Sequence, residues 1–123
     1  MNERLIIKNA LIKNDTELQL EIDSSHKLID LRASGQILVD SDGFSFIYLL
    51  ENDNTYTYIS IPETVWHDLK TAVSNNLPVI VTNGSDQILL TGFQEELTYL
   101  VENIKGNSNY GEEMVNKVEA VFA

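Results

Sequence analysis

Cysteine is absent from this 123-residue chain, which excludes disulfides, thiolate metal sites and a cysteine nucleophile. Histidine is scarce. His26 and His67 lack the i, i+4 spacing of a helical metal pair, and His67 should point away from its neighbour Trp66, as an exposed bystander does. Eight basic residues against nineteen acidic ones give a formal charge of −11, a field that repels phosphate backbones and anionic headgroups. Nucleic acid and membrane are therefore not expected partners, and the acidity reads as a solubility device. No run approaches the ~18 to 20 apolar residues of a membrane span. Met1 leads through Asn2, Glu3 and Arg4 into a strand-like run with no leader pattern, so a cytoplasmic location is expected. A GxSxG elbow, a Walker loop, a dinucleotide fingerprint and an HExxH helix are all missing. No catalytic residue, metal ligand or cofactor is assigned, and the reading leans away from an enzyme.

What is present is ordinary for a folded protein, with 43% hydrophobic and 22% charged residues, and the length suits one domain over residues 1–123. Glu17 to Asp23 alternates polar residues with Leu18, Leu20 and Ile22, the signature of a strand with one wet face. Arg4 to Lys13, apolar with little alternation, predicts one largely buried strand folded onto it through an Asn14–Asp15 turn. After a polar loop from Ser24 to Ser34, three more strands are expected at Gln36 to Asp40, Phe44 to Leu50 and Tyr56 to Ile61. Ser60 and Glu63 stand at capping-box spacing around Pro62, ahead of a helix to Ser74. Leu77 to Thr82 and Gln87 to Leu90 flank Asn83–Gly84, which suits a type I′ turn. Thr91 with Gln94, and Asn109 with Glu112, then introduce two carboxy-terminal helices. The expected class is α+β: a mainly antiparallel twisted sheet of five amino-terminal strands plus a later hairpin, one helix before that hairpin, and a carboxy-terminal helical pair.

Chemistry has few footholds. The turn Asp40-Ser41-Asp42-Gly43 places two carboxylates two residues apart, but its glycine is fourth where a calcium loop needs it sixth, so a structural turn is the ordinary reading. Phe44, Phe46 and Tyr48 can share one strand face, and Tyr56 with Tyr58 another, as core or rim packing or as a ligand face. The segment Asn103 to Gly111 joins the last two helices. Gly106 fits a positive-φ helix end. Gly111 falls just inside the next helix, where glycine is disfavoured by ~1 kcal/mol against alanine. Asn107, Tyr110 and Gly111 therefore join Asp40 and Asp42 as candidate binding residues, and Gly111→Ala is expected to leave stability equal or higher while weakening binding.

The segments QILVDSDGFSFIY, PETVW and above all FQEELTYLVENIKGNSNYGEE resemble the YjbL-like proteins of Bacillus, Staphylococcus and their relatives, uncharacterised protein family 0738. The resemblance implies a cytosolic protein of a Gram-positive bacterium and supplies no activity, cofactor or catalytic residue. Two functions follow as expectations. The first is a noncatalytic protein-binding or adaptor protein, self-associating as a homodimer or holding a protein partner, through its tyrosines or the interhelical loop. The second is a small enzyme or metabolite-binding domain in which Asp40, Asp42, Asn107 and Tyr110 meet in one cleft.

Overall fold

A computed structural model describes residues 3–53 and 55–122. The amino-terminal apolar run forms one bent strand whose halves serve different sheets. Its first half, Glu3–Ile6 (β1), pairs in parallel with Tyr56–Pro62 (β6); its second, Asn9–Lys13 (β2), pairs antiparallel with Glu17–Glu21 (β3). At the bend, the Ile7 amide donates to the Ser60 carbonyl and the Lys8 amide to the Glu21 carbonyl, each at 2.9 Å. Leu5 and Ile7 point inward on one side of the bend and Ala10 and Ile12 on the other, so the alternation slips at Lys8–Asn9. A strand that turns a corner between sheets needs such a slip. The expectation of one largely buried strand is thereby corrected: Ile6 is 62% and Leu11 48% exposed, because each half borders its sheet and presents a bare outer face.

The first sheet runs β1-β6-β5-β4, with β4 at Arg32–Asp40 and β5 at Ser45–Glu51. The second runs β2-β3-β7-β8, with β7 at Val79–Thr82 and β8 at Gln87–Leu89. Each contains one parallel pair, β1 with β6 and β3 with β7, and antiparallel pairing elsewhere. The class is α+β as expected, but the five amino-terminal strands are six and the single sheet is two. The expected wet face of β3 is also partly closed: Gln19 is only 8% exposed, because β3 lies between β2 and β7. The Asn14–Asp15 turn forms as read, both residues at positive φ and the Thr16 amide on the Lys13 carbonyl.

Three helices complete the chain: Trp66–Ser74 (α1) after a single 3-10 turn, Phe93–Ile104 (α2) and Glu112–Phe122 (α3). The predicted capping boxes do not form. Ser60 stays in β6, where its hydroxyl accepts from Arg4, and Gly92, at φ 70°, precedes α2 while the Gln94 amide reaches the Leu77 carbonyl. Asn109 belongs to a 3-10 turn, and Gly111 stands ahead of α3 with its carbonyl taking the Val115 amide at 3.0 Å. The 83–86 connection is likewise a four-residue loop rather than a two-residue turn. Buried Asn83 organises it, accepting from the Ser85 and Asp86 amides and donating to the His26 carbonyl at 2.8 Å.

One core unites both sheets and the helices. Trp66 of α1 packs on Phe46 of β5 at 5.0 Å and on Phe122 of α3 at 6.0 Å, with its indole N–H on the Ile61 carbonyl. Tyr48 stacks on Phe93 of α2. Its buried hydroxyl donates to the Thr91 carbonyl at 2.6 Å and accepts the Gly35 amide at 2.9 Å. The first sheet is thus tied to the entrance of α2, where Gly92, at φ 70°, lies within ordinary contact of Gly35.

Candidate functional site: the outer face of the first sheet

Strand parity separates the two faces of the first sheet. Phe46, Tyr48, Leu50, Ile59 and Ile61 point into the core. Their neighbours form the outer face, where Ile6, Ser60, Ile47 and Leu38 make a row across all four strands. Beside it lie Arg4, Tyr58 and Leu49, then Tyr56, Glu51 and Arg32; on the other side lie Pro62, Ser45 and Asp40. Ile47 and Leu49 on the central strand are nearly covered, so the exposed apolar surface lies toward the rims: Ile6 at one edge, Leu38 (40%) at the other and Tyr56 (43%) at one end.

Both arginines of the chain are on this face, and its strands contain no lysine. The Arg4 guanidinium crosses the sheet from β1, donating to the Ser60 hydroxyl at 3.1 Å and to Asp40 at 2.8 Å on the far strand. Asp40 also accepts the Gly43 amide at 3.0 Å, so both its oxygens are engaged. Those bonds, Arg4 first, hold the Asp40 carboxyl below the usual carboxylate range. Gly43 is needed for this arrangement, since a Cβ there would lie 2.5 Å from an Asp40 oxygen. Arg32 pairs more loosely with Asp53, at 3.3 Å between exposed groups.

The other candidates lie elsewhere. Asp42 is exposed in the turn after β4. Phe44 stands just before β5 at φ 50°, half-buried against the same core as Phe46 and Tyr48, with the Lys117 ammonium 4.9 Å over its ring and bonded to Glu63. Asn107 uses both ends of its amide locally, accepting from the Asn109 amide and donating to the Asn103 carbonyl. Tyr110 is half-buried against the core. Gly106 has φ 68°, as expected of a helix end, and its amide is capped by Glu119 of α3. Gly111 corrects the earlier reading: at φ 91° and ψ 135° it is outside the helix, in a conformation that requires glycine. Among the described residues, no hydrogen bond or ion pair joins Asp40 or Asp42 to Asn107 or Tyr110.

Arg4, Ile6, Arg32 and Leu38 are not among the candidate residues that motifs and turn patterns mark. Their signal was parity: Leu38 between inward Ile37 and Val39, and Ile6 between Leu5 and Ile7, must face outward.

A family model described as a family of unknown function (UPF0738) matches residues 5–122. The chain belongs to that family. It is 45% identical over 122 residues to the UPF0738 protein YjbL of Bacillus subtilis, covering 99% of each chain. A UPF0738 protein of Bacillus licheniformis is 42% identical over 123 residues and one of Bacillus velezensis 43% over 122, again with 99% of each chain covered. No solved structure matches. Among the described residues, no helix is long and apolar enough to cross a membrane.

Proposed function

We propose that this family member is a noncatalytic cytoplasmic protein-binding or adaptor protein that engages its partner through the outer face of the first sheet. One observation carries the reading: exposed Ile6, Leu38 and Tyr56 share a face with Tyr58 and with both arginines. Aromatic residues and arginine are enriched and lysine depleted where proteins bind one another. Asp40 belongs to this face as the residue that orients Arg4. In the same reading Asn107, Tyr110 and Gly111 shape the connection into α3, where the Asn107 side chain is used within the loop.

The experiment is affinity capture from cytosol of a Bacillus host, with wild type beside Ile6→Lys, Leu38→Lys and Tyr99→Lys. A partner retained by wild type and Tyr99→Lys and lost by the two face variants is the expected outcome. Equal capture by all four proteins, or a strictly monomeric protein that retains no partner, would overturn the reading.

A further inference from the structure

We infer that Asn83 is a self-modification site: when the 83–86 loop opens, its side-chain amide is lost to attack by the Gly84 backbone nitrogen, and the product no longer holds the connection between β3 and β4. Neither the binding face nor any partner enters into this. Asn83 is the one asparagine of the chain followed by glycine. Glycine sets no Cβ beside its amide nitrogen and leaves the backbone free to turn toward the asparagine side chain, itself a thermolabile group. The closed loop withholds both reactants. Asn83 is 8% exposed; its Oδ1 accepts the Ser85 amide at 3.0 Å and the Asp86 amide at 2.7 Å, and its Nδ2 donates to the His26 carbonyl at 2.8 Å. The attacking nitrogen is held as well. The Gly84 amide donates to the Thr82 hydroxyl at 3.0 Å, and that buried hydroxyl donates to the Asp86 carbonyl at 2.9 Å. Reaction requires Gly84 to surrender the proton that Thr82 holds and Asn83 to release His26, so it proceeds from opened loops.

The chemistry needs only water. The Gly84 nitrogen gives its proton to hydroxide and attacks the Asn83 Cγ; the N–Cγ bond forms, the Cγ–Nδ2 bond breaks, and Nδ2 leaves as ammonia with a proton from water. Water then opens the cyclic imide at either carbonyl, leaving aspartate or isoaspartate, and nothing is oxidised or reduced. Both products lack the donor that faces His26. A carboxylate oxygen in its place would stand against the His26 carbonyl oxygen with no proton between them, and isoaspartate adds a methylene to the backbone of a four-residue loop. The β3–β4 connection depends on that donor. Among the described residues, the other hydrogen bonds of residues 24–31 are local, from the Ser25 and His26 amides to Asp23 and from the Leu31 amide to the Leu28 carbonyl. Asn83 is therefore its polar tie to the second sheet, beside the apolar anchor of buried Leu28.

The test ages the full chain at mildly alkaline pH, folded and in urea, and follows residue 83 by peptide mass spectrometry. Conversion is expected in both, at least about tenfold slower in the folded chain, because only its open fraction reacts. Thr82→Val removes both hydroxyl bonds with little change of shape. It should speed the folded reaction at least about threefold and leave the rate in urea unchanged. Converted chains are more acidic and separate by ion exchange; in them, amide hydrogen exchange at residues 24–31 should quicken at least about tenfold while the amides of β5 and β6 keep their protection. Asn83→Asp should show the same exchange pattern without ageing. Equal rates in folded and unfolded chains, no conversion in urea, or a Thr82→Val protein that ages like wild type would overturn the inference. So would converted chains whose residues 24–31 exchange as before, or whose β5 and β6 amides lose protection as well.

Discussion

Replacing Tyr48 by phenylalanine would remove a single oxygen and two hydrogen bonds from the point where the first sheet meets the entrance of α2. The hydroxyl donates to the Thr91 carbonyl at 2.6 Å and accepts the Gly35 amide at 2.9 Å. Burial raises the phenol's pKa, so the proton it donates stays in place through the neutral range. The ring would keep its packing on Phe93, which confines the change to the polar contacts. Each bond contributes about 1 kcal/mol net, and a buried group left unpaired costs about 1–3 kcal/mol. Gly35 is half-buried, so its amide, left without the hydroxyl, bears much of that penalty. The expected loss is about 2–3 kcal/mol, a large share of the roughly 5–15 kcal/mol typical of a domain. With a urea m-value of about 1–3 kcal/mol/M for a chain this size, the unfolding midpoint should fall by about 0.7–3 M at constant m. A fall of less than about 0.3 M would show that the hydroxyl is not a structural clamp.

Gly111→Ala should destabilise by about 1–3 kcal/mol in the same assay, because its backbone at φ 91° and ψ 135° is strained for any residue with a Cβ, although no atom would clash with it. Arg4→Met should raise the Asp40 pKa toward the ordinary carboxylate value, read by NMR titration of its side-chain carbonyl carbon. Stability should change by less than about 1 kcal/mol, since the pair is solvent-accessible. The sign follows from the lowered folded-state pKa: in wild type the carboxylate's contribution is present above the unfolded pKa and fades as pH falls through the folded one, and Arg4→Met should flatten that acid limb. An unchanged titration would mean that Arg4 does not hold the carboxylate in solution.

Much of the architecture was legible from local pattern. The strand carrying Leu18 and Leu20, the apolar stripes of the helices, the Asn14–Asp15 turn and the positive φ of Gly106 each depend on neighbours a few residues away, and each is present in the fold. The failures share one cause. Ser60, Thr91 and Asn109 have the residue types and spacings of helix caps, but their segments are placed by distant partners: Ser60 by pairing with Ile6 and Ile47, Thr91 by Tyr48, and Asn109 by the turn around Asn107.

Acidity, the lack of cysteine and the α+β class follow from the residues and their immediate order, because charge, composition and hydrophobic period are local properties. That residues 4–13 bend between two sheets, that Gly111 lies outside its helix, and that Arg4, Ile6, Leu38 and Tyr56 share one face depend on contacts between distant segments. Strand pairing is non-local, and a slip of one residue at Lys8–Asn9 reverses which side chains meet water.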